Sequence, residues 1–472
     1  MAMGCGYPST VLDTAMCVAA ETESSKLHDL RGKSLDYPAL ITLASRVAKR
    51  LSETHGVWVG DDVAIAPINS LDFLAAMLGS WMTGARVSVI DPLSHSVDLE
   101  QQVRQVGPRL FITSQDFAEK HCSAAERVGA RCVPVEGLVK DLGDTMWEGY
   151  YRPRGWEDAL TYFYAGIAGR TLPVIHSHSG VTASAYTVVK HYGLGGKDRV
   201  LVVSPISHAL GLQISLLAGV VAGASVELYT RTKGLDSAHA AETMKMFDPS
   251  LVLAAPGFFK AVLDAGYRGG PGLRYPVSAG APLPIELQKR WEKATGVELL
   301  QLYGMTEAAP VSATLPGENP LGSIGKPMPG IETRIEGGGE TGELLVRGPV
   351  VMKGYSDPEE TRRAFTRDGW LRTGDIVEER NGFLYFRGVK KRMIKYKGYP
   401  VFPRDLEIIL EQHPAVARAR VTGEPRGDVG QIPVAEVWLK PGARASEEEL
   451  LEWVNSRVAP YKKVRRLVIK RA

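Results

Sequence analysis

Regular alternation of buried strands with helices constrains this sequence more than any other feature. Between residues 62 and 92 the run VAIAPI predicts a short buried strand, Asn69 or Ser70 caps the helix that follows, and ARVSVIDP returns as a second strand. Helix and strand alternate again at DLEQQVRQVGPRLFIT, at residues 181–192 followed by RVLVVSP, and at AETMKMFDPSLVLAAP. Alternation sustained over roughly 250 residues predicts an α/β fold whose parallel sheets are flanked by helices.

The pattern changes after about Gly330, where IETRIEGGGETGELLVRGP and GFLYFRG alternate apolar with polar residues between turns. That period of two is typical of antiparallel strands with one wet face, so we expect a small antiparallel, barrel-like part beside the parallel sheets. A chain of 472 residues exceeds what one core normally holds, about 250 to 300 residues. We therefore divide it into domains 1–388 and 389–472. The second is predicted to be a small α+β unit whose last helix opens with a capping box, Ser446 with Glu449.

Composition argues against several classes of function. The formal net charge of +3 is near balance and no basic stripe is interleaved with aromatics, so a nucleic-acid partner is not expected. The longest apolar run, residues 214–226, is too short to span a bilayer, and the N-terminus lacks the pattern of a signal peptide. The four cysteines match neither a zinc site nor a dense disulfide framework, so we expect reduced thiols in a cytoplasmic protein.

The stretch QLYGMTEAAP, residues 301–310, has the strongest chemical character. It follows the apolar run GVELL, so we place it where a strand gives way to a loop, the usual place for ligand chemistry in an open α/β sheet. Tyr303 could stack on a base, Thr306 could hydrogen-bond a phosphate oxygen, and Glu307 could bind magnesium. Gly304 would let a ligand approach closely. From these residues alone, an ordinary turn at a strand end remains an alternative.

YGMTE is one of seven motifs that occur in order along the chain: SPISHALGL, SAGAPLP, YGMTE, GSIGKPMPG, GELLVRGPVVMKGY, DGWLRTGD and MIKYKGYPVFPRDLE. Together they resemble the adenylate-forming superfamily, in particular its branch of AMP-forming acyl-CoA synthetases, the fatty-acid CoA ligases. The resemblance extends from GDDVAIAPINSLDFLAAMLG near residue 60 to VAPYKK near residue 460. It implies an enzyme in which a carboxylate attacks the α-phosphate of ATP, giving an acyl-adenylate and pyrophosphate, after which CoA displaces AMP. It also implies that domain 389–472 is a mobile lid.

The resemblance implies roles for individual residues in nucleotide binding. Tyr303 would stack on the adenine, with Gly304 beside it. Thr306 would hold the α-phosphate, Glu307 would bind the magnesium ion, and Asp375 would accept both ribose hydroxyls. Plain turns are the alternative for Asp375 and for the loop that would line the adenine, which consists of Gly280, Ala281 and Pro282.

Four more residues are implied in acyl and CoA binding. His208 matches a residue at the mouth of the acyl pocket, and a packed loop histidine is the alternative. Lys391 aligns with the hinge. Lys395 and Gly398 match a loop that enters the active site for thioester formation, where the glycine leaves room for the pantetheine arm of CoA; a solvated lysine-rich hairpin is the alternative. The apolar or small residues of the acyl pocket favour a fatty or aryl acid over an amino acid.

The stretch YAGIAGRTLPVIHSHSG departs from the family pattern. In the family, the loop between a strand and a helix here carries hydroxyls and a lysine that bind phosphates. In this chain Gly166 and Gly169 remain, Arg170 and Thr171 lie nearby, and Leu172 stands at the lysine position. Each lost charge-assisted hydrogen bond is worth about 1.5 to 3 kcal/mol, so this degenerate loop should hold the β- and γ-phosphates weakly.

Two further departures also concern phosphates. Val389 stands where the family has an arginine that reaches the ribose and phosphate, and Arg387 and Lys390 are the substitutes at hand. The sequence ends at VAPYKKVRRLVIKRA, before the place of the family lysine that stabilises the adenylation transition state. We therefore expect a C-terminal domain that is either truncated or naturally without this lysine.

The sequence thus predicts an AMP-forming acid:CoA ligase that uses ATP, Mg²⁺, CoA and a fatty or aryl acid, with an adenylation step open to impairment. Two alternatives stay open: a pseudoenzyme that binds a nucleotide or acyl-AMP, and adenylation for a carrier protein. A homodimer is also left open.

Overall fold

The computed structural model describes residues 10–21, 25–165, 171–229, 235–389 and 394–470. Within these ranges the chain is an α/β protein, as the sequence predicts. In chain order its helices are α1 (Val11–Glu21), α2 (Tyr37–His55), α3 (Leu71–Met82), α4 (Ser96–Val106), α5 (Ala118–Glu126), α6 (Val135–Val139), α7 (His178–Tyr192), α8 (Ala209–Gly211), α9 (Leu217–Ala222), α10 (Ser237–Phe247), α11 (Pro256–Asp264), α12 (Ile285–Thr295), α13 (Pro358–Ala364), α14 (Pro403–Glu411) and α15 (Glu447–Asn455).

The strands are shorter and more numerous than the helices. In chain order they are β1 (Lys26–Asp29), β2 (Ser34–Asp36), β3 (Asp62–Ala66), β4 (Arg86–Val89), β5 (Leu110–Thr113), β6 (Cys132–Pro134), β7 (Asp158–Ala165), β8 (Thr171–Ser177), β9 (Arg199–Val202), β10 (Ser225–Leu228), β11 (Leu251–Ala254), β12 (Tyr275–Ala279), β13 (Leu300–Met305), β14 (Ala308–Ala313), β15 (Lys326–Pro327), β16 (Glu332–Ile335), β17 (Thr341–Arg347), β18 (Gly354–Tyr355), β19 (Leu371–Arg380), β20 (Phe383–Val389), β21 (Ile394–Tyr396), β22 (Tyr399–Val401), β23 (Val416–Pro425), β24 (Gln431–Leu439) and β25 (Arg466–Lys470).

A seven-stranded sheet has the order β18-β8-β7-β4-β3-β5-β6. Its centre contains the predicted strand, helix and strand, because β3 pairs in parallel with β4 and α3 connects them. The Ser70 side chain caps α3 by accepting a hydrogen bond from the Phe73 backbone amide. Almost every residue of α3 is buried, which its continuous apolar sequence LDFLAAMLGSWM requires.

A nine-stranded sheet has the order β15-β14-β13-β12-β11-β9-β10-β1-β2. The four neighbours β13, β12, β11 and β9 are mutually parallel. Their carboxyl ends therefore meet at one edge of the sheet, and the loops that follow them lie side by side. That edge carries most of the predicted site residues.

The segment after Gly330 contains antiparallel pairs, as predicted, although β25 pairs in parallel with β24 near the C-terminus. Strands β16, β17, β19 and β20 form a four-stranded antiparallel sheet. The C-terminal segment, residues 394–470, has its own apolar core, formed between α14, α15 and the sheet β23-β24-β25. Its last helix begins with the predicted capping box, in which Ser446 and Glu449 each accept a hydrogen bond from the other's backbone amide.

Two expectations from the sequence are wrong. Cys122 and Cys132 are not reduced thiols but form a disulfide, because β6 returns beside the end of α5 and brings their Cα atoms to 5.2 Å. The glycine-rich stretch does not run from a strand into a helix. The next described element is a strand, β8, which pairs antiparallel with β7, and α7 begins only at His178. The run TLPVIHS extends as a strand because it pairs on both sides, with β7 and with β18.

In the described ranges, none of the helices has both the length and the apolar character needed to cross a bilayer.

Candidate active site

Thr306 and Glu307 form the two-residue turn between β13 and β14. The sequence predicts that the strand ends just before this motif. In the structure, β13 instead continues into the motif as far as Met305, which pairs with Ala308. A register shift between Tyr303 and Met305 bends the strand at this point. The turn carries a buried carboxylate, since Glu307 is only 1% exposed.

Tyr303 and Asp375 are in direct contact although 72 residues separate them in sequence. The Tyr303 hydroxyl donates a hydrogen bond of 2.7 Å to Oδ2 of Asp375, which lies on β19. Burial, together with the neighbouring carboxylate, holds the pKa of Tyr303 well above its usual value. Burial also raises the pKa of Asp375, against the opposing effects of the Tyr303 hydrogen bond and the Lys395 ammonium. The structure therefore brings together the two residues predicted for adenine and ribose.

Lys395 belongs to the hairpin of β21 and β22 and faces the same carboxylates. Burial lowers the pKa of the Lys395 ammonium, and the charges of Asp375 and Glu307 oppose this shift. One cation from the C-terminal segment thus lies in the field of two predicted nucleotide residues.

Gly398, at the tip of the same hairpin, reaches the edge of the nine-stranded sheet. It has φ of +84°, which favours glycine, and a Cβ added there would lie 3.3 Å from Cβ of Ala255 and 3.8 Å from the Gly280 carbonyl oxygen. Gly280 itself has φ of +78° and follows β12, so the predicted loop that continues through Ala281 and Pro282 lies at this edge. A larger residue at position 398 would need to be accommodated against this backbone.

His208 follows β9 and lies where the C-terminal segment meets the sheet. Its Nε2 atom is 3.7 Å from Oδ2 of Asp91, and its ring contacts the ring of Tyr399 edge-on with 5.1 Å between centroids. Burial lowers the pKa of His208, while Asp91 opposes this effect. Asp91 and Tyr399, which contact His208, also line a cavity of about 40 Å³ whose other lining residues are apolar except for Asn69.

A lysine bridges the C-terminal segment and the rest of the chain. The Lys462 ammonium lies 3.7 Å from Oδ2 of Asp98 on α4 and 3.7 Å from Oδ2 of Asp405 on α14. The lysine side chain is 10% exposed. This three-residue ion cluster therefore contributes to the observed orientation of the C-terminal segment.

Two residues that the sequence analysis left without a role hold the turn of Thr306 and Glu307. Nε2 of His176 donates to the Thr306 carbonyl at 2.8 Å, and the Tyr355 hydroxyl donates to Oε1 of Glu307 at 2.7 Å. Burial lowers the pKa of His176 to about 4. Both residues fall within quoted stretches, yet nothing in their spacing indicates the turn they contact.

Some predicted residues lie outside the described residues: Gly166, Gly169, Arg170, Lys390 and Lys391. Val389, which stands where the family has an arginine, is on β20 directly opposite Asp375 on β19. The residue paired with Asp375 is therefore apolar. The Arg387 guanidinium pairs with Glu378 at 2.6 Å.

Known proteins resemble this chain over most of its length. Residues 17–356 match the family described as AMP-binding enzyme, and residues 405–472 match the AMP-binding enzyme C-terminal domain. Peroxisomal OPC-8:0-CoA ligase 1 of Arabidopsis thaliana is 29% identical over 98% of this chain and 90% of its own length. A 4-coumarate--CoA ligase-like protein of Oryza sativa subsp. japonica is 30% identical over 92% of this chain and 79% of its own length.

A similar solved structure is that of a double mutant of o-succinylbenzoate CoA synthetase from Bacillus subtilis, bound with its product analogue OSB-NCoA. Its TM-score is 0.88 at 25% sequence identity, and the match covers 97% of this chain and 95% of that one.

Proposed function

The chain belongs to the family of AMP-binding enzymes, and from this premise we propose that it is an AMP-forming acid:CoA ligase. A carboxylate oxygen of the acid attacks the α-phosphorus of ATP, the bond to the bridging oxygen breaks, and pyrophosphate leaves. The CoA thiolate then attacks the acyl carbon of the acyl-adenylate, and AMP leaves. The observation that carries the proposal is the contact of Tyr303 with Asp375 at the edge that also holds Glu307 and Gly398.

The nucleotide would bind between the turn and β19. Tyr303 offers an aromatic face to the adenine, and its hydroxyl already orients the Asp375 carboxylate. Asp375 has a second oxygen with which to accept hydrogen bonds from the ribose. A Cβ added at Gly280 would make only ordinary contacts, the nearest at 3.7 Å, so this loop could approach the base closely, whereas at Gly304 it would lie 3.3 Å from the Ala308 carbonyl oxygen.

The turn residues fit a magnesium ion held together with phosphates. In the described ranges no group of three or more acidic, histidine or cysteine residues could bind a metal ion, so a cage made only of protein ligands is not present there. Mg²⁺ is normally bound through one or two carboxylates and substrate phosphates, and the buried carboxylate of Glu307 suits that mode. When bound, the ion would screen the negative charge of the phosphates. Thr306 would orient a phosphate oxygen through its hydroxyl.

The observed arrangement of the C-terminal segment supports the thioester-forming step. We propose that residues 389–472 form a lid domain that moves about Lys391 relative to residues 1–388, and that the structure described here corresponds to the thioester state. Three contacts support this assignment: Gly398 against Ala255 and Gly280, Tyr399 against His208, and Lys462 against Asp98. The absence of a side chain at Gly398 would leave space for the pantetheine arm.

His208 would border the acyl carboxylate, and Asp91 would fix the orientation of its ring. The loops after β9, β11 and β12 surround this position with apolar or small residues, such as Leu210, Ala255 and Ala281. Such a surface suits the apolar part of a fatty or aryl acid, and the carboxylate at this position, Asp91, is placed against His208.

A second candidate is a protein that binds acyl-AMP without forming it efficiently. Val389 beside Asp375, and Leu172 at the start of β8, favour this candidate because neither can bind a phosphate.

Two half-reactions separate the candidates. The ligase exchanges labelled pyrophosphate into ATP in the presence of its acid, and it converts a supplied acyl-adenylate and CoA into a thioester. A protein that performs only the second reaction is impaired in adenylation. A protein that binds AMP, as measured by calorimetry, but performs neither reaction is a binder, and this outcome would refute the ligase proposal.

A further inference from the structure

The turn of Thr306 and Glu307 is held by hydrogen bonds that come from outside its own sheet. His176 donates through Nε2 to the Thr306 carbonyl at 2.8 Å, and the Met352 amide donates to the Glu307 carbonyl at 2.8 Å. The Tyr355 hydroxyl donates to the Glu307 carboxylate at 2.7 Å. Backbone and side chain of the turn are therefore fixed together.

Two of these donors, His176 and Tyr355, come from one pair of neighbouring strands. Tyr355 on β18 pairs with Val174 on β8, and His176 lies two residues further along β8. This pair is the edge of the seven-stranded sheet, whereas the turn belongs to the nine-stranded sheet. The strand pair thus holds the turn at the junction of the two sheets. Strand β8 begins at Thr171, directly after the glycine-rich stretch in sequence.

His176 is suited to hold the turn rather than to react. Its side chain is fully buried, and its partner is a carbonyl oxygen, so Nε2 must carry the hydrogen. Burial also lowers the pKa of His176, which favours the neutral imidazole. Its ring packs edge-on against Tyr162 with 6.0 Å between centroids, which fixes its orientation. Replacing it without restoring a donor would leave the Thr306 carbonyl without this hydrogen bond.

We propose that His176 and Tyr355 are positioning residues for the first half-reaction, acting through Thr306 and Glu307 without touching the substrate. The inference rests on the proposed function, because it takes Thr306 and Glu307 as the residues that hold phosphate and metal. It predicts that the two residues matter when ATP is bound with Mg²⁺ and matter little when a preformed acyl-adenylate reacts with CoA.

The test compares ATP binding by calorimetry with Mg²⁺ and with EDTA in the wild type, Tyr355→Phe and Tyr151→Phe. The last is a matched control, since the Tyr151 hydroxyl donates to Oε1 of Glu157 at 2.8 Å and neither residue is assigned to the site. Tyr355→Phe should reduce the gain in ATP affinity that Mg²⁺ gives by about tenfold, as expected for a lost hydrogen bond to a charged group. Tyr151→Phe should leave it unchanged.

His176→Leu and His176→Gln test the second positioning residue. His176→Leu should slow pyrophosphate exchange about tenfold, because the hydrogen bond to the Thr306 carbonyl is lost. Its rate of thioester formation from a supplied acyl-adenylate should stay within about twofold of the wild type. His176→Gln keeps a donor and should restore most of the exchange rate. Thermal unfolding shows whether a His176 variant has failed to fold. If it has, the positioning role is judged from Tyr355→Phe, which retains the aromatic ring.

Equal Mg²⁺ effects in Tyr355→Phe and the wild type, or a loss shared equally by both half-reactions, would overturn the positioning role alone. A wild type whose ATP affinity ignores Mg²⁺ would overturn the metal assignment of Glu307 and the positioning role together.

Discussion

The ion cluster at Lys462 offers a quantitative test of the conformational proposal. The change is Asp98→Asn, which removes the only carboxylate that the rest of the chain contributes to the cluster described above, while Asp405 continues to pair with Lys462. The substitution keeps the size and polarity of the side chain. It therefore weakens the attachment of the C-terminal segment without disturbing the core of either unit.

The magnitude follows from the geometry. At 3.7 Å and an effective dielectric constant of about 20, two unit charges attract by about 4.5 kcal/mol. Much of this attraction is offset by the desolvation of the charges, and the Asp98 side chain keeps 22% of its exposure, so solvent screens the pair further. We expect a net loss of about 1 to 2 kcal/mol from the observed orientation, which is a five- to thirtyfold change in its population relative to others.

The assay measures both half-reactions in parallel. If the observed orientation is the thioester state, Asp98→Asn should slow thioester formation from a supplied acyl-adenylate by roughly five- to thirtyfold and leave pyrophosphate exchange unchanged or faster. Lys470→Met is the matched control, because Lys470 pairs with Glu436 at 2.9 Å entirely within the C-terminal segment. Equal slowing of both half-reactions, or no slowing of thioester formation, would refute the reasoning.

Three other changes have defined outcomes. Asp375→Ala should reduce AMP affinity at least tenfold by calorimetry, since two charge-assisted hydrogen bonds to the ribose are lost; an unchanged affinity would exclude Asp375 from the nucleotide site. Leu172→Lys should raise ATP affinity about tenfold and leave AMP affinity unchanged, because it adds an ammonium only where the β- and γ-phosphates are expected; a parallel gain for AMP would contradict that placement. Burial raises the pKa of Asp62 to about 6, against hydrogen bonding from Ser88 and the charge of Arg86. Because the folded state prefers the neutral acid, stability falls as the pH rises from about 4, near the unfolded pKa, to about 6, and the full cost remains at higher pH; Asp62→Asn should therefore stabilise the protein at pH 7 by up to about 3 kcal/mol but not at pH 4. Denaturant titrations at the two pH values measure this, and an equal effect at both would contradict it.

Local pattern was a reliable guide where structure depends on neighbours in sequence. The unit of β3, α3 and β4, the Ser70 cap and the Ser446 capping box all occur where expected, because periodicity and capping act over a few residues. The enzyme class also followed from ordered motifs, and the relatives named as CoA ligases confirm it. The individual roles of the site residues remain predictions.

Errors arose where pairing across long distances decides the outcome. The strand β8 exists because β7 and β18 lie on either side of it, and β18 comes about 180 residues later in the chain. The disulfide of Cys122 and Cys132 depends on how closely β6 returns to α5. Neither fact has a signature in spacing or composition.

Taken alone, the sequence determined the α/β class, the main strands and helices and the order of the motifs, since burial periodicity and turn chemistry are written into short segments. Only the tertiary structure decided that Tyr303 meets Asp375, that Tyr355 orients Glu307, and that Gly398 reaches Gly280. These contacts depend on the order of strands in two sheets and on the orientation of the C-terminal segment. Such geometry is set by the packing of the whole chain, and no local stretch specifies it.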